Sequence, residues 1–276
     1  MGRGHSPSAL RRKSEVRDLP RAILFLMPRL PAALCIPMKP LLPLLLTVTA
    51  ATFTFAAPPA SSYSRTIFSD DFSGDQFGPL WGHYKSGSVV KDGVLVGITP
   101  EGSDHNAVDF VKFEPERDLE VSVKYRFVSD KAKGFNVWFD DKDYKGSHAG
   151  HICSVSVTPT SVAISDAKTG NFRNDIYEKK KATPPTLTEE DKKMLATKYK
   201  SLPLPAKRSQ SRSRPDWHTL VIQTKGDEVS VKVDGKAVGS FTSEGIGHDH
   251  KTLVSLTTNQ VDVTYDDFSI KAPAKP

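Results

Sequence analysis

Asn136, Trp138 and Asp140 stand two residues apart in a run whose other members, Phe135, Val137 and Phe139, are apolar. In an extended strand that spacing puts the three functional side chains on one face and the three hydrophobic ones on the other. An indole plate flanked by an amide and a carboxylate suits a sugar ring, which offers C–H faces to stack and hydroxyls to bond. The competing reading has Trp138 packed beneath a neighbouring segment. A second group is titratable. Asp104-His105 falls in a polar stretch, and His148 and His151 flank Ala149-Gly150 at the start of another strand. Imidazoles that change charge near neutrality, set beside orienting carboxylates, can act as general bases. His151 or His105 is the candidate base and Asp104 or Asp140 the orienting acid. Trp138, Asn136 and His148 are the candidate substrate-binding groups. The alternative is a set of histidines scattered over the surface.

Other chemistries find less support. Metal ligation by these histidines lacks a tight pair. His248-Asp249-His250 has such a spacing, but it follows Gly245-Ile246-Gly247 and reads as a turn. No cofactor motif is identified: there is no glycine-rich phosphate loop and no Gly-x-Ser-x-Gly elbow. Cys153 alternates with Val155 and Val157, which marks it as a small buried residue, not a nucleophile. Trp81, His83 and Tyr84 form a further aromatic group, expected in an early loop along an edge.

The elements that position these residues follow from period-two alternation. Leu119, Val121, Val123, Tyr125 and Phe127 interleave with Glu120, Ser122, Lys124 and Arg126, and Val229, Val231 and Val233 with Ser230, Lys232 and Asp234. Such patterns mark half-buried antiparallel strands. Asp92-Gly93 and Asp234-Gly235 supply hairpin turns. About a dozen strands of this kind predict an all-β, two-sheet jelly-roll sandwich over 66–271, with one short helical insertion at 178–214 and a tail at 272–276. Within the insertion, Thr186 to Glu189 resembles a capping box, and Leu187, Met194, Leu195 and Leu202 offer a narrow apolar stripe. Pro203, Pro205 and the Ser/Arg run to Arg214 read as connectors. Eleven basic and four acidic residues make the insertion cationic, either as a solvated excursion or as a docking surface for acidic polysaccharide or the cell envelope. Ser69-Asp70-Asp71-Phe72 opens the sandwich and Tyr265-Asp266-Asp267-Phe268 closes it. If those strands pair, their clustered carboxylates admit a structural calcium, though solvated strand-end acids are the commoner case.

Lys39 to Ala57 is a short uncharged apolar run behind a basic residue, ending in small residues. That is the layout of a secretory signal peptide, with Met38 as the favoured initiator, residues 1–57 as leader and 58–65 as linker. Export to the periplasm or medium is expected, with membrane contact only through this segment if it stays uncleaved. The chain has 38 basic and 32 acidic side chains, and residues 1–57 hold eight and two of them, which leaves 30 and 30. A neutral mature domain gives no electrostatic reason to bind nucleic acid, and carbohydrate remains the expected partner.

Several strings follow one another in a familiar order. They are Val90-Lys91-Asp92-Gly93-Val94-Leu95-Val96-Gly97, Asp104-His105, Gly150-His151-Ile152, Trp217-His218-Thr219-Leu220, Val231-Lys232-Val233-Asp234-Gly235-Lys236 and Asp266-Asp267-Phe268. In these the chain resembles the exported bacterial 3-keto-disaccharide hydrolase-like domains, within the concanavalin/laminin-G-like jelly rolls, from about Thr66 to Lys271. The resemblance implies a sandwich that cleaves 3-keto-glycosides: a ketone at sugar C3 acidifies the neighbouring C–H, so a base can drive elimination and then hydration. Such domains also carry a family 16 glycoside hydrolase-like label. The Glu-x-Asp-x-x-Glu strand of those enzymes has no counterpart here; the nearest string, Glu189-Glu190-Asp191, lacks the third acid.

Overall fold

Fifteen strands form in the computed structural model, which describes residues 62–129, 131–204, 216–259 and 263–275. The leader through Ala57, Met38 and the connector from Pro205 to Arg214 lie outside the described residues. One sheet runs β13 (Lys236–Thr242), β12 (Glu228–Val233), β11 (His218–Lys225), β6 (Glu120–Phe127), β15 (Val263–Ala272), β4 (Val94–Gly97) and β3 (Val89–Lys91), with β1 (Arg65–Asp70) also paired to β15. The other runs β10 (Tyr199–Pro203), β9 (Ser161–Asp166), β8 (His151–Val157), β7 (Phe135–Asp140), β14 (Lys251–Thr258), β5 (Ala107–Glu116) and β2 (Trp81–Tyr84). Every pairing is antiparallel. The jelly-roll sandwich expected from the alternation is the observed fold.

The alternation sorts side chains as the pattern requires. Phe135, Val137 and Phe139 are fully buried, as are Val121, Val123, Val229 and the inner residues Val155 and Ile164, in one core between the sheets. Burying each such side chain contributes about 1.5–3 kcal/mol, so register is fixed by what a one-residue slip would expose. Cys153 belongs to this core, where burial pushes its thiol up to about 12.

Trp81 corrects one expectation. It lies on the edge strand β2 and not in a loop, and its ring is buried against Phe68, Phe72 and Phe268. Its indole N–H donates to Asp70 Oδ2 at 2.8 Å, while Asp70 Oδ1 accepts the Phe72 amide. The opening and closing strands do pair, with Asp70 opposite Phe268. Their acids are engaged within the protein: Asp267 meets Lys124 at 2.5 Å and Asp70 holds Trp81. Among the described residues no group of three or more His, Cys, Asp or Glu side chains is arranged to hold a metal ion.

The insertion is richer than the single helix expected. A first helix, α1 (Asn174–Lys181), begins before it, anchored by buried Ile176, with Asp175 in its first turn and three lysines in its last, the charge order its dipole favours. The second, α2 (Glu189–Ala196), starts two residues later than anticipated. Thr188, not Thr186, is its cap, in a reciprocal box with Asp191. The proposed apolar stripe is not used, since α2 buries no residue. Leu202 instead sits on β10, which pairs with β9 and packs the leucine against Gly239 of β13. Because α2 rests on its cap more than on packing, Thr188→Ala is expected to cost the helix about 1 kcal/mol. Hydrogen exchange should rise at residues 189–193 while the global unfolding midpoint stays in place.

Candidate functional site

The strand registers place one row of residues across the outer face of the second sheet. Gly82, Phe110, Ser255, Trp138, Ser154, Ser165 and Tyr199 are successive cross-strand partners from β2 to β10. Strands lie about 4.8 Å apart, so Phe110 is about 10 Å from Trp138 and Tyr199 about 14 Å on the other side. The Phe110 ring lies over Gly82, in space that a side chain at that position would contest. Three serines stand between the aromatic residues, Ser255 and Ser154 buried and Ser165 half-buried. Asn136 and Trp138 are half-buried on this face, as their alternation with the core residues demands.

At one end of the row the chemistry converges. Asp140 ends β7 on the same face as Trp138, and His151 begins β8 opposite it. The Nδ1–H of His151 donates to Asp140 Oδ1 at 2.8 Å, which leaves the Nε2 lone pair to accept a proton. The His151 ring lies over Trp138 with centroids 4.4 Å apart, and Phe172 meets both rings edge-on at 4.7 and 5.1 Å. His148 is 6.2 Å from His151 and stacks on Tyr177 of α1 at 3.8 Å. Burial raises the Asp140 carboxyl above the ordinary carboxylate range, opposed by its bond to His151. Burial also lowers His148, reinforced by the nearby His151 and Lys181, so its imidazole stays neutral at neutral pH. Asp140 is the carboxylate on Trp138's own strand; Asp166, which ends β9 beside Ser165, and Asp109, which precedes Phe110, are both fully buried.

Backbone geometry explains the Gly150-His151 string. Ala149 and Gly150 both have positive φ, 55° and 75°. A Cβ at 150 would strike the Asp141 carbonyl, and the Gly150 carbonyl accepts the Asp141 amide at 2.9 Å. The turn therefore delivers His151 to Asp140 at some conformational cost, a feature that gathers at functional sites.

Asp104-His105 is arranged differently. Asp104 is exposed and paired with Lys85, and it orients no histidine. His105 donates through Nδ1 to the Asn106 carbonyl at 2.7 Å and meets Tyr84 edge-on. It comes near enough to His148 to depress that imidazole slightly, the smallest of the influences on it. Phe172, Tyr177, Phe110 and Tyr199 enter the site without any sequence expectation. The first two lie in the β9–α1 segment, whose pattern carries no period. The last two became visible only through register. His248, expected in a turn, donates from Nε2 to buried Asp141 at 2.8 Å and faces Lys168 on its other nitrogen at 3.2 Å.

A two-sheet jelly roll bearing an aromatic row with a histidine–aspartate pair at one end is the class these observations define. No protein-family profile matches the sequence, and no curated protein matches it. Solved structures match it in fold. The GlcNAcα1-4Gal-releasing endo-β-galactosidase from Clostridium perfringens superposes with a TM-score of 0.50 at 11% identity, over 80% of this chain and 66% of that one, so this chain spans just under two thirds of it. A non-specific endo-β-1,3(4)-glucanase of family GH16 gives 0.49 at 13% identity, covering 80% and 94%. The endo-β-1,3-glucanase from Pyrococcus furiosus gives 0.46 at 12%, covering 77% and 95%.

Proposed function

We propose that this protein is a carbohydrate-active domain that seats a saccharide along the Phe110–Trp138–Tyr199 row and cleaves 3-keto-glycosides at His151. The observation that carries the reading is the 2.8 Å Asp140–His151 bond placed directly beside the Trp138 plate. With Nδ1 held, His151 Nε2 accepts the proton on C2, which the C3 ketone has made acidic. The C2–H electrons form the C1–C2 double bond, the C1–O bond breaks, and the departing alkoxide takes a proton to leave as an alcohol. Water then adds across C1–C2, with hydroxyl on C1 and hydrogen on C2, to give the free 3-keto sugar. Two opposed carboxylates are what a conventional glycosidase needs, and the one on Trp138's strand, Asp140, is itself committed to His151. The fold shared with sugar-cleaving enzymes, and the family resemblance of the strings around Gly150-His151, lend further support. We place the activity outside the cytoplasm on the strength of the Lys39–Ala57 leader.

The test is direct. Trp138→Ala should weaken binding of a gluco-oligosaccharide by about 1–2 kcal/mol, or roughly five- to thirtyfold, by calorimetric titration. Unchanged affinity would remove the row as the sugar bed. Binding by the wild type without release of alcohol from a 3-keto-glycoside would reduce the protein to a glycan-binding module.

A further inference from the structure

Beside His148 the molecule has an open depression of about 350 Å³, lined by Lys142, Tyr144, Lys145, Ser147, His148, Ala149, Gly150 and Asn174. The lining contains two ammonium groups and no carboxylate. Three acids close by are occupied, while Asp143 and Glu178 form no ion pair among the described residues and offset part of the positive charge. Asp140 is bound to His151, and Asp141 gives one oxygen to His248 and the other to the Asp143 amide. Asp175 is held by Arg173 through two bonds of 2.6 and 3.0 Å. The cations are differently placed. Lys142 and Lys145 are exposed, and the one bond of the Lys145 ammonium is to the Lys142 carbonyl at 3.4 Å. Two further lysines stand over the adjoining rings, Lys168 at 5.2 Å from Tyr144 and Lys181 at 4.7 Å from Tyr177. Among the described residues none of the four forms an ion pair with a carboxylate, whereas Lys85, Lys124, Lys179, Lys192 and Lys198 all do. The lining of the depression thus carries ammonium groups and no carboxylate, next to the histidine–aspartate end of the row, on a domain whose formal charges cancel.

We propose that this depression receives an anionic substituent, carboxylate or sulfate, of the saccharide bound on the sheet face, so that the preferred substrates are acidic glycans. The proposal rests on the sugar-binding reading above. Ammonium groups in an open site attract an oxyanion without the fork geometry of arginine, so they select charge more than shape. Charge selection in such a site is also screened by salt.

Titration of the full-length protein with three size-matched oligosaccharides, one neutral, one carrying uronic acid and one O-sulfated, tests it. At low salt at least one acidic chain should bind about tenfold more tightly than the neutral one, and 0.5 M salt should shrink that preference to about twofold or less. Lys142→Ala/Lys145→Ala should fold normally by circular dichroism and bind the acidic chain about as weakly as the neutral one. A preference for the uronate alone, or for the sulfate alone, identifies the anion. Equal binding of neutral and acidic chains, or a preference that survives in the double variant, overturns the proposal while leaving the sugar bed intact. Absence of binding by all three overturns both.

Discussion

Replacement of His151 by glutamine is expected to lower turnover of a 3-keto-glycoside by roughly 10²- to 10⁴-fold, the range a positioned general base supplies. Glutamine can keep a hydrogen bond to Asp140 and roughly fill the ring's space, so binding of the same compound should change little. The loss should therefore appear in kcat and not in KM. In the proposed mechanism Asp140 acts through the histidine, whose Nδ1 lies 2.8 Å from its carboxylate. Asp140→Asn should consequently alter the pH profile of kcat as well as its height, which a merely structural role would not do. His105→Gln serves as the contrast. That imidazole bonds a backbone carbonyl and no acid, so its loss should leave turnover within about threefold. Wild-type rates in His151→Gln would remove the base assignment.

Asp166→Ala is expected to destabilise the domain by about 3–5 kcal/mol, the cost of removing a buried charged acceptor from a full set of donors. The carboxylate is buried at the end of β9, where it accepts from the Thr169 amide and hydroxyl at 2.9 and 2.5 Å, the Ser243 hydroxyl at 2.5 Å and the Gly245 amide at 3.1 Å. It thereby ties the segment after β9 to the segment before β14. The first of these presents Phe172 to the site, and the Phe172 carbonyl accepts the His148 amide at 2.7 Å. Loss of Asp166 should thus loosen His148 as well as lower the urea midpoint, with hydrogen exchange at 148 and 167–173 rising first. An unfolding free energy within about 1 kcal/mol of wild type would show that water replaces the carboxylate at little cost.

Much of the sandwich was legible because a strand declares its faces locally. Phe135, Val137 and Phe139 needed no knowledge of a partner to be assigned inward, and Asn136 and Trp138 followed outward. What brings strands together is register, and register depends on bulges and turns that alternation does not encode. Phe110 and Tyr199 therefore joined Trp138 only once the pairing was in hand. Helix α1 was missed because its sole buried residue is Ile176, too little for a periodic stripe. Asp104 looked like a partner for a histidine because it precedes one. Neighbours in sequence on an exposed loop point apart, and Lys85 was nearer. The Gly150-His151 string was the better signal, since a glycine forced by a close backbone approach reports geometry.

Strand β10 gives the basic insertion a structural duty. By returning to hydrogen-bond along β9 and setting Leu202 on Gly239, the excursion covers a ladder that would otherwise offer its free amides and carbonyls to any extended chain. Excising 186–214 would strip that guard along with the positive charge. The shortened protein should self-associate, so loss of the basic segment is better probed by neutralising its lysines one face at a time.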